Sequence, residues 1–334
     1  MEDSTTDERL ARLNSWLAGV FSSAPFTLEP ASEDASFRRY FRVTTQDHSL
    51  IAMDAPPEKE DSRPFVRVSK LLSAAGLNVP QIAEADLEQG FLLLTDLGQD
   101  LYLQSLLRKT RVRELYHSAI DSLVTMQSQV VCDDLPPYDH RQLMNEMSLF
   151  RDWLLGHHLG ISADDVALQD TMEFLATSAL AQPRVFVHRD FHSRNLMIGN
   201  AGKPGILDFQ DAMAGPVSYD LASLLKDCYV KWPESLVDEL LDYYLAGAGE
   251  AGIETGNDAR RFREYFELMG VQRHLKASGI FARLFHRDGK QGFLADVPRT
   301  LSYIVDCSDR HPELAYLGEL VRARVLPALE AART

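Results

Sequence analysis

The sequence predicts an α+β fold of two lobes, a small lobe built on an antiparallel sheet and a larger helical lobe. Strand-like segments dominate residues 1–97, whereas helical periodicity dominates residues 98–334. A chain of 334 residues also exceeds the usual size of a single domain, and its 45% hydrophobic and 25% charged composition is that of a folded globular protein. We therefore predict two domains, 1–97 and 98–334, joined by a hinge near Thr95–Gly98.

The small lobe is predicted to begin with a helix and to continue as five strands interrupted by a second helix. Residues 5–21 place Leu10, Leu13 and Leu17 at helical spacing, which indicates an amphipathic helix. Gly76 is a typical stop for the second helix. The strands are expected at 26–28, 37–45, 49–53, 81–85 and 91–95, a polar turn at 31–36 and the second helix at 58–75.

The larger lobe is predicted to consist mainly of helices, with short strands around one polar loop. Helices are expected at 111–126, 141–155, 167–180, 219–229, 233–245, 258–285 and 312–332. Val185–Val187 is a candidate strand before the loop, and two short apolar runs, 196–198 and 206–207, flank a segment rich in Gly and Pro, which predicts a hairpin. That hairpin would bring Asn195 close to Asp208.

Charge and composition exclude several kinds of partner. A net charge of −15 creates a field that repels nucleic acid and anionic lipid, so we predict neither as a partner. The N-terminus is acidic and polar, and no apolar run approaches the roughly 20 residues that span a bilayer. Cys132, Cys228 and Cys307 lack C-x-x-C spacing, which favours a reducing compartment and no structural zinc. A cytoplasmic protein is expected.

The polar loop carries residue types suited to phosphoryl transfer. His188 and Asp190 are followed by Asn195, with the spacing H-x-D-x-x-x-x-N, and Asp208 follows the predicted hairpin. In this pattern the first Asp orients and deprotonates a hydroxyl, while the Asn and the second Asp hold Mg²⁺ against the phosphates of ATP. An ordinary polar loop would explain one Asp, but the combined spacing and flanking strands favour catalysis. We therefore predict Asp190 as the catalytic residue and Asn195 and Asp208 as metal ligands.

Three motifs resemble the aminoglycoside phosphotransferase and choline kinase family, which has a protein-kinase-like fold. They are His188–Asn195, Leu207–Gln210 and Pro216–Ala222. His192 stands where protein kinases carry Lys, and no Gly follows Asp208-Phe209 as in a D-F-G motif. The resemblance implies that His188 packs against the loop as a structural residue and that Asp220 supports the loop through backbone hydrogen bonds. It also implies ATP and Mg²⁺ as cofactors.

A closer resemblance is to bacterial anomeric amino-sugar kinases. It is carried by the segments 35–42, 53–61 and 207–216. The resemblance implies ATP-dependent transfer to the 1-hydroxyl of N-acetylmuramate and N-acetylglucosamine in cell-wall recycling. His192, Arg194, Gln210 and Asp211 are then candidate sugar contacts, and a lactyl carboxylate would favour an arginine. A kinase of another small hydroxyl compound, of aminoglycoside or choline type, and a non-catalytic nucleotide-binding scaffold are the alternatives.

One part of the kinase pattern is missing. The third strand, Leu50–Ala55, contains no Lys, and Phe65 occupies the place of the Glu that would pair with it. Our hypothesis is that Arg38, Arg39 or Arg42 supplies the charge that faces the phosphates, with backbone amides near Ser36 and Phe37 assisting. A solvated strand face would look the same in sequence. By resemblance, the backbone of Thr95 and Leu97 is expected to bind adenine.

Overall fold

The computed structural model describes residues 3–32, 37–199, 202–256 and 258–332, and the side chains from residue 8 onward except that of Ser32. The chain forms two compact units. The first comprises Met1–Gln99 with Gly205–Asp211, and the second comprises Asp100–Pro204 with Ala212–Thr334. The predicted α+β class is confirmed, since one unit is built on a five-stranded antiparallel sheet and the other mainly on helices.

The first unit packs a helix against one antiparallel sheet. Its elements are α1 (Asp3–Val20), β1 (Thr27–Ser32), β2 (Arg39–Thr44), β3 (Ser49–Asp54), α2 (Arg63–Ala74), β4 (Ile82–Asp86), β5 (Phe91–Thr95) and the short β8 (Gly205–Ile206). The sheet order is β1-β2-β3-β5-β4. Leu13 and Leu17 of α1 are fully buried against Val43, Ala52 and Leu93 of the sheet, as the helical spacing of the leucines predicted.

Two boundaries in this unit differ from the sequence prediction by four residues or more. Strand β1 extends to Ser32 instead of ending at Leu28, because it pairs with β2 along that length through a bulge between Pro30 and Ser32. The second helix begins at Arg63 and not at residue 58. The carbonyl of Pro56 accepts the Lys59 and Glu60 amides in a turn, and a proline in the first helical turn fixes the later start.

The second unit is mostly helical. Its elements are α3 (Tyr102–Leu107), α4 (Val112–Gln129), α5 (His140–Leu149) continued by a π-helix (Phe150–Leu159), α6 (Asp165–Leu180), β6 (Arg184–Val187), β7 (Leu196–Met197), β9 (Met213–Pro216), α7 (Tyr219–Leu225), α8 (Glu234–Glu250), α9 (Ala259–Asp288), a 3₁₀ turn (Gln291–Asp296), α10 (Val297–Ser308), a 3₁₀ turn (Pro312–Leu314), α11 (Ala315–Leu320), a π-helical turn (Val321–Val325) and α12 (Leu326–Ala331). Helix α9 is central, with most of its inner residues buried.

Several elements of the second unit were not predicted or were predicted too long. Helices α3 and α10 and strand β9 are additions, and β9 pairs antiparallel with β6 although Met-Ala-Gly-Pro has little strand propensity. Helix α7 ends at Leu225 because the Asp227 side chain accepts the Tyr229 amide at 2.9 Å in a turn. The single helix expected over 312–332 is divided, and Pro327 in the first turn of α12 lacks the amide that a continuous helix requires.

One glycine allows α9 to lie against the neighbouring helix. A Cβ atom at Gly279 would stand 2.2 Å from the backbone carbonyl carbon of Leu149, where α5 passes into the π-helix. Only a residue without a side chain permits this approach of two backbones. As a result, α9 passes close to α5, the helix that carries Glu146.

The helices of the described residues include none that is both long and apolar enough to span a bilayer. The three cysteines are free thiols, Cys228 and Cys307 buried and Cys132 half-buried.

Candidate active site

The candidate catalytic loop, residues 188–195, runs from the end of β6 to the start of β7. Asp220, fully buried at the start of α7, accepts the backbone amides of His188 at 2.6 Å and Arg189 at 3.0 Å. Arg189 has a φ of +80°, a strained conformation for a residue with a side chain. Burial raises the pKa of Asp220 to about 7, although both amide hydrogen bonds oppose that rise. Asp220 therefore holds the strained turn through the backbone, in the manner that the resemblance implies.

Hydrogen bonds within the loop orient Asp190 and Asn195. The amide of Asp190 donates to His188 Nδ1 at 3.3 Å, and its carbonyl accepts the His192 amide at 3.0 Å. Asn195 Nδ2 donates to the same carbonyl at 3.0 Å. These contacts form a tight turn, and they direct the nitrogen of the Asn195 side chain toward the loop backbone.

Asp190 lies among basic side chains from its own loop and from the central helix α9. Burial by itself would raise the pKa of its carboxyl, but Lys276 and then His192, Arg189 and Arg273 more than offset that effect. The pKa of Asp190 is therefore held well below its ordinary value. A carboxylate in this environment is ionised at neutral pH and can accept a proton or a hydrogen bond from a hydroxyl.

A buried ion-pair network lies beneath the loop and is centred on Glu146 of α5. Its carboxylate forms ion pairs with Arg189 and with Lys276, whose Nζ is 3.4 Å away. Gln272 and Tyr138 also donate hydrogen bonds to it. Burial would raise the pKa of Glu146, but Lys276 and Arg189 lower it to about 2. The network fixes the side chain of Arg189 and, with it, the strained turn before Asp190.

No sequence motif predicted this network. Glu146, Arg273 and Lys276 lie on α5 and α9, far from the loop in sequence, and match no motif. A signal was nevertheless present. Gln272, Arg273 and Lys276 lie in the middle of a long, mostly apolar helix, and polar residues buried in a core are usually paired.

The other side of the loop contacts a group of aromatic residues. Both the amide and the hydroxyl of Ser193 donate to Asp227, with the amide at 3.0 Å. The ring of His192 lies edge-on to Tyr229 at 5.5 Å, and its Nδ1 is buried with no hydrogen-bond partner among the described residues. Arg194 is exposed and lies over the Tyr229 ring. The structure therefore brings the two predicted sugar contacts of this unit, His192 and Arg194, to one aromatic patch beside the loop.

Asp208 lies in the first unit in a left-handed conformation, with a φ of +63°. Asp tolerates this region better than most residues, and such strain often marks functional positions. Gln210 Nε2 donates to Asp208 Oδ1 at 2.7 Å, so Gln210 orients the carboxylate. The intervening Phe209 is fully buried and packs on Phe65 with ring centroids 4.8 Å apart. Phe65, in place of the expected Glu, therefore makes an apolar contact that supports the Asp208 segment.

The three arginines proposed to face phosphate are all ion-paired within the first unit. Arg38 is 3.1 Å from Glu60, and Arg42 is 2.6 Å from Asp96. Arg39 donates to the fully buried Asp54, which also binds Arg9 of α1. The carboxylates neutralise part of the charge that each arginine presents to a ligand. That one of these arginines faces the phosphates of ATP stays a prediction.

Two of the remaining predicted nucleotide contacts form hydrogen bonds within the first unit. Ser36 lies outside the described residues, and the exposed Phe37 donates its amide to Glu60 at 3.3 Å. The Thr95 amide donates to the Gln81 carbonyl at 2.9 Å, so it is used within the sheet. Leu97 is half-buried just after β5, and Asp211 is exposed next to Gln210.

One further group of possible metal ligands lies away from the loop. Oxygen, sulfur and nitrogen atoms of Glu267, Cys307 and His311 lie within 4.8 Å of one another. Glu267 is already paired with Arg310 at 2.8 Å and with His311 at 2.6 Å. Burial raises the pKa of Cys307 to about 11, which keeps the thiol protonated. These contacts account for the group as an ion-pair cluster.

The fold and the loop together define a class of enzyme. The chain belongs to the phosphotransferase enzyme family, whose model matches residues 27–265. It is 48% identical over 328 residues to a protein of Pseudomonas aeruginosa named N-acetylmuramate/N-acetylglucosamine kinase, covering 94% of this chain and 96% of the relative. A Pseudomonas putida protein of the same name is 45% identical over the same share of each chain. The chain is thus a kinase.

Solved structures support the same fold. A choline/ethanolamine kinase family protein from Mesorhizobium loti superposes with a TM-score of 0.64 at 14% sequence identity, covering 97% of this chain and 98% of that one. At this identity the likeness establishes the fold alone. It confirms the kinase-like architecture that the loop spacing predicted.

Proposed function

We propose that this protein transfers the γ-phosphoryl group of ATP to the anomeric 1-hydroxyl of N-acetylmuramate and N-acetylglucosamine, as a cytoplasmic step of cell-wall recycling. The observation that supports the chemistry is the braced loop that holds Asp190 ionised among buried cations. The substrate class rests on the names of relatives that are 45–48% identical along nearly the whole chain. A scaffold without activity would have no need for Asp190, Asn195 and Asp208 together.

In the proposed reaction Asp190 orients the sugar and takes its proton. Its carboxylate accepts a hydrogen bond from the 1-hydroxyl, which attacks the γ-phosphorus in line with the departing ADP oxygen. The sugar oxygen–phosphorus bond forms, the phosphorus–ADP bond breaks, and the hydroxyl proton passes to Asp190. An anomeric hydroxyl is more acidic than other sugar hydroxyls, so positioning contributes more than basicity. The strained turn held by Asp220 and Glu146 supplies that positioning.

The residues present fit a magnesium ion. Asn195, with its amide nitrogen committed to the loop, offers its oxygen, and Asp208 offers a carboxylate oriented by Gln210. Hard oxygen donors of this kind are the ligands that Mg²⁺ prefers. We assign Asn195 and Asp208 as its ligands. When bound, the ion would neutralise charge on the ATP phosphates.

The two lobes are assigned different tasks in this proposal. Residues 1–97 are proposed to cover the nucleotide through the β1–β2 region, with Ser36, Phe37 and one or more of the three arginines toward phosphate and the backbone of Thr95 and Leu97 toward adenine. Residues 98–334 are proposed to carry the catalytic loop and to bind the sugar through His192 and Arg194. Gln210 and Asp211 are proposed as further sugar contacts.

The test is product formation across a substrate panel. ADP release is measured with N-acetylmuramate, N-acetylglucosamine, choline and an aminoglycoside, and the phosphorylated position is read by ³¹P and ¹H NMR. We expect turnover with both amino sugars and a phosphate on the anomeric oxygen. Turnover with only choline or the aminoglycoside, or a phosphate on another hydroxyl, would contradict the proposal. The same panel with Mg²⁺ replaced by EDTA should show no turnover.

A further inference from the structure

Arg194 is an exposed cation four residues after Asp190, held between two aromatic rings. Its guanidinium carbon lies 4.8 Å from the ring centroid of Tyr229 and 5.1 Å from that of Phe293. Phe293 in turn stacks on Phe281 of α9 at 5.6 Å, so the second ring is anchored to the central helix. A guanidinium positioned by two rings loses little further freedom when it binds a ligand.

Arg194 also lacks an ion-pair partner. No carboxylate of the described residues lies within 4.0 Å of its guanidinium, whereas Arg189, five residues earlier, is paired with Glu146. The nearby Asp227 is occupied by Ser193 and by the Tyr229 amide. In a chain with 49 acidic and 34 basic residues, an arginine without a carboxylate beside the catalytic loop is available for an anionic group of a ligand.

Asp190 and Arg194 lie four residues apart on the same loop but in different surroundings. Asp190 and Arg194 both act electrostatically on His192, which lies between them in sequence and contacts Tyr229 through its ring. Asp190 is surrounded by the buried network, whereas Arg194 faces the aromatic patch. The loop therefore presents a carboxylate for a hydroxyl and, four residues later, an exposed guanidinium for an anionic substituent.

We propose that Arg194 binds the lactyl carboxylate of N-acetylmuramate and thereby sets the enzyme's preference between this sugar and N-acetylglucosamine, which has no carboxylate. The inference rests on the proposed function and names the substrate group that this side chain recognises. A guanidinium binds a carboxylate through two parallel hydrogen bonds. Because the carboxylate does not react, its binding raises kcat/KM for the acidic sugar relative to the neutral one.

The test compares the two sugars in Arg194→Gln. The measured quantity is the ratio of kcat/KM for N-acetylmuramate to kcat/KM for N-acetylglucosamine. We expect this ratio to fall about tenfold or more, the effect of losing a charge-assisted hydrogen bond. Arg194→Lys retains the positive charge but cannot form two parallel hydrogen bonds, so the ratio should fall by less than in Arg194→Gln. Arg324→Gln, an exposed arginine of the same unit, is the matched control and should leave the ratio as in the wild type.

A second measurement uses the unmodified protein. The lactyl amide of N-acetylmuramate keeps the size of the substituent but removes its charge, so wild-type kcat/KM should fall about tenfold with this probe. A preference that rests on the shape of the lactyl group instead would leave the amide as good a substrate as the acid, and that result overturns the inference.

The remaining outcomes separate the two proposals. A ratio within about twofold of wild type in Arg194→Gln, or equal losses for both sugars, overturns the role of Arg194 while leaving the proposed function intact. A wild-type protein that phosphorylates neither sugar refutes the proposed function itself. The thermal unfolding midpoint of each variant shows whether a loss arises from misfolding.

Discussion

The catalytic loop of the second unit and the arginine-rich strand β2 of the first unit use charge in opposite ways. Around Asp190 the protein gathers cations from α9 and from the loop itself, and the carboxylate is held ionised by its surroundings. At β2 three arginines, Arg39 and Arg42 within the strand and Arg38 immediately before it, each meet a carboxylate of their own unit. The first arrangement keeps the Asp190 carboxylate ionised, whereas the second neutralises charges that a phosphate would need.

Burial separates the two regions as well. Glu146, Lys276 and Arg273 are nearly fully buried, so removing one charge leaves its partner unpaired in a poorly solvated environment. In β2 the arginine side of each pair is partly exposed, with 29% of the Arg39 side chain and 20% of the Arg42 side chain accessible, whereas Arg38, just before the strand, is buried. Water can replace a lost partner at an exposed pair. Substitutions should therefore have large effects beneath the loop and small ones along β2.

The largest effect is expected at the proposed reacting groups. Asp190→Asn and Asp208→Ala should each lower turnover by about 100-fold or more, because a proton acceptor or a metal ligand is lost. Steady-state ADP release measures the loss, and Asp170→Asn, an exposed aspartate of α6, serves as the control. Near-normal turnover in both variants would contradict the roles proposed for Asp190 and Asp208.

A large loss of stability is expected beneath the loop. Glu146→Gln leaves Arg189 and Lys276 without their carboxylate and should lower the free energy of unfolding by about 3 kcal/mol. The contrasting change in the first unit, Asp96→Asn, breaks the pair of Arg42, which stays partly exposed and keeps its hydrogen bond to the Gly98 carbonyl, so it should cost about 1 kcal/mol or less. Urea unfolding of both variants gives the difference. Equal losses would show that burial does not separate the two networks.

The same glutamate predicts how stability depends on pH. The pKa of Glu146 is about 2 in the folded protein, below the value of about 4.3 in an unfolded chain. A depressed carboxyl pKa stabilises the fold above the unfolded pKa, and this contribution is lost as the pH falls from about 4.3 toward 2. Over this range the wild type should lose more stability than Glu146→Gln. If the free energy of unfolding fell equally with pH in the wild type and in Glu146→Gln, the lowered pKa of Glu146 would be contradicted.

The smallest effect is expected at the nucleotide side. If one arginine of β2 faces phosphate despite its ion pair, its replacement by Ala should raise the KM for ATP by about three- to tenfold with little change in kcat. Arg38→Ala, Arg39→Ala and Arg42→Ala are measured separately. An unchanged KM in all three variants would show that these arginines stabilise the first unit and do not bind ATP.

Local patterns predicted most of the elements. Strand β5 has the predicted bounds, and α4, α6 and α9 differ from prediction by only a few residues, because periodicity and capping are properties of neighbouring residues. The predictions were wrong where a contact between residues distant in sequence determines whether an element forms or where it ends. Strand β9 forms against β6, and Gly215 is required there because a Cβ atom would stand 2.9 Å from the Tyr138 side chain. Proline and a side-chain turn likewise interrupted helices that periodicity had joined.

The sequence by itself determined the family and led to the prediction of three reacting positions. Asp190, Asn195 and Asp208 have a fixed spacing, and a loop hydrogen-bonded to itself is specified by neighbouring residues. Only the tertiary structure decided which charges surround them. Glu146 and Lys276 come from α5 and α9, the partners of the β2 arginines are 15 to 54 residues away, and the rings that hold Arg194 lie on other elements. Electrostatic interaction depends on distance in space and on burial, and neither follows from spacing along the chain.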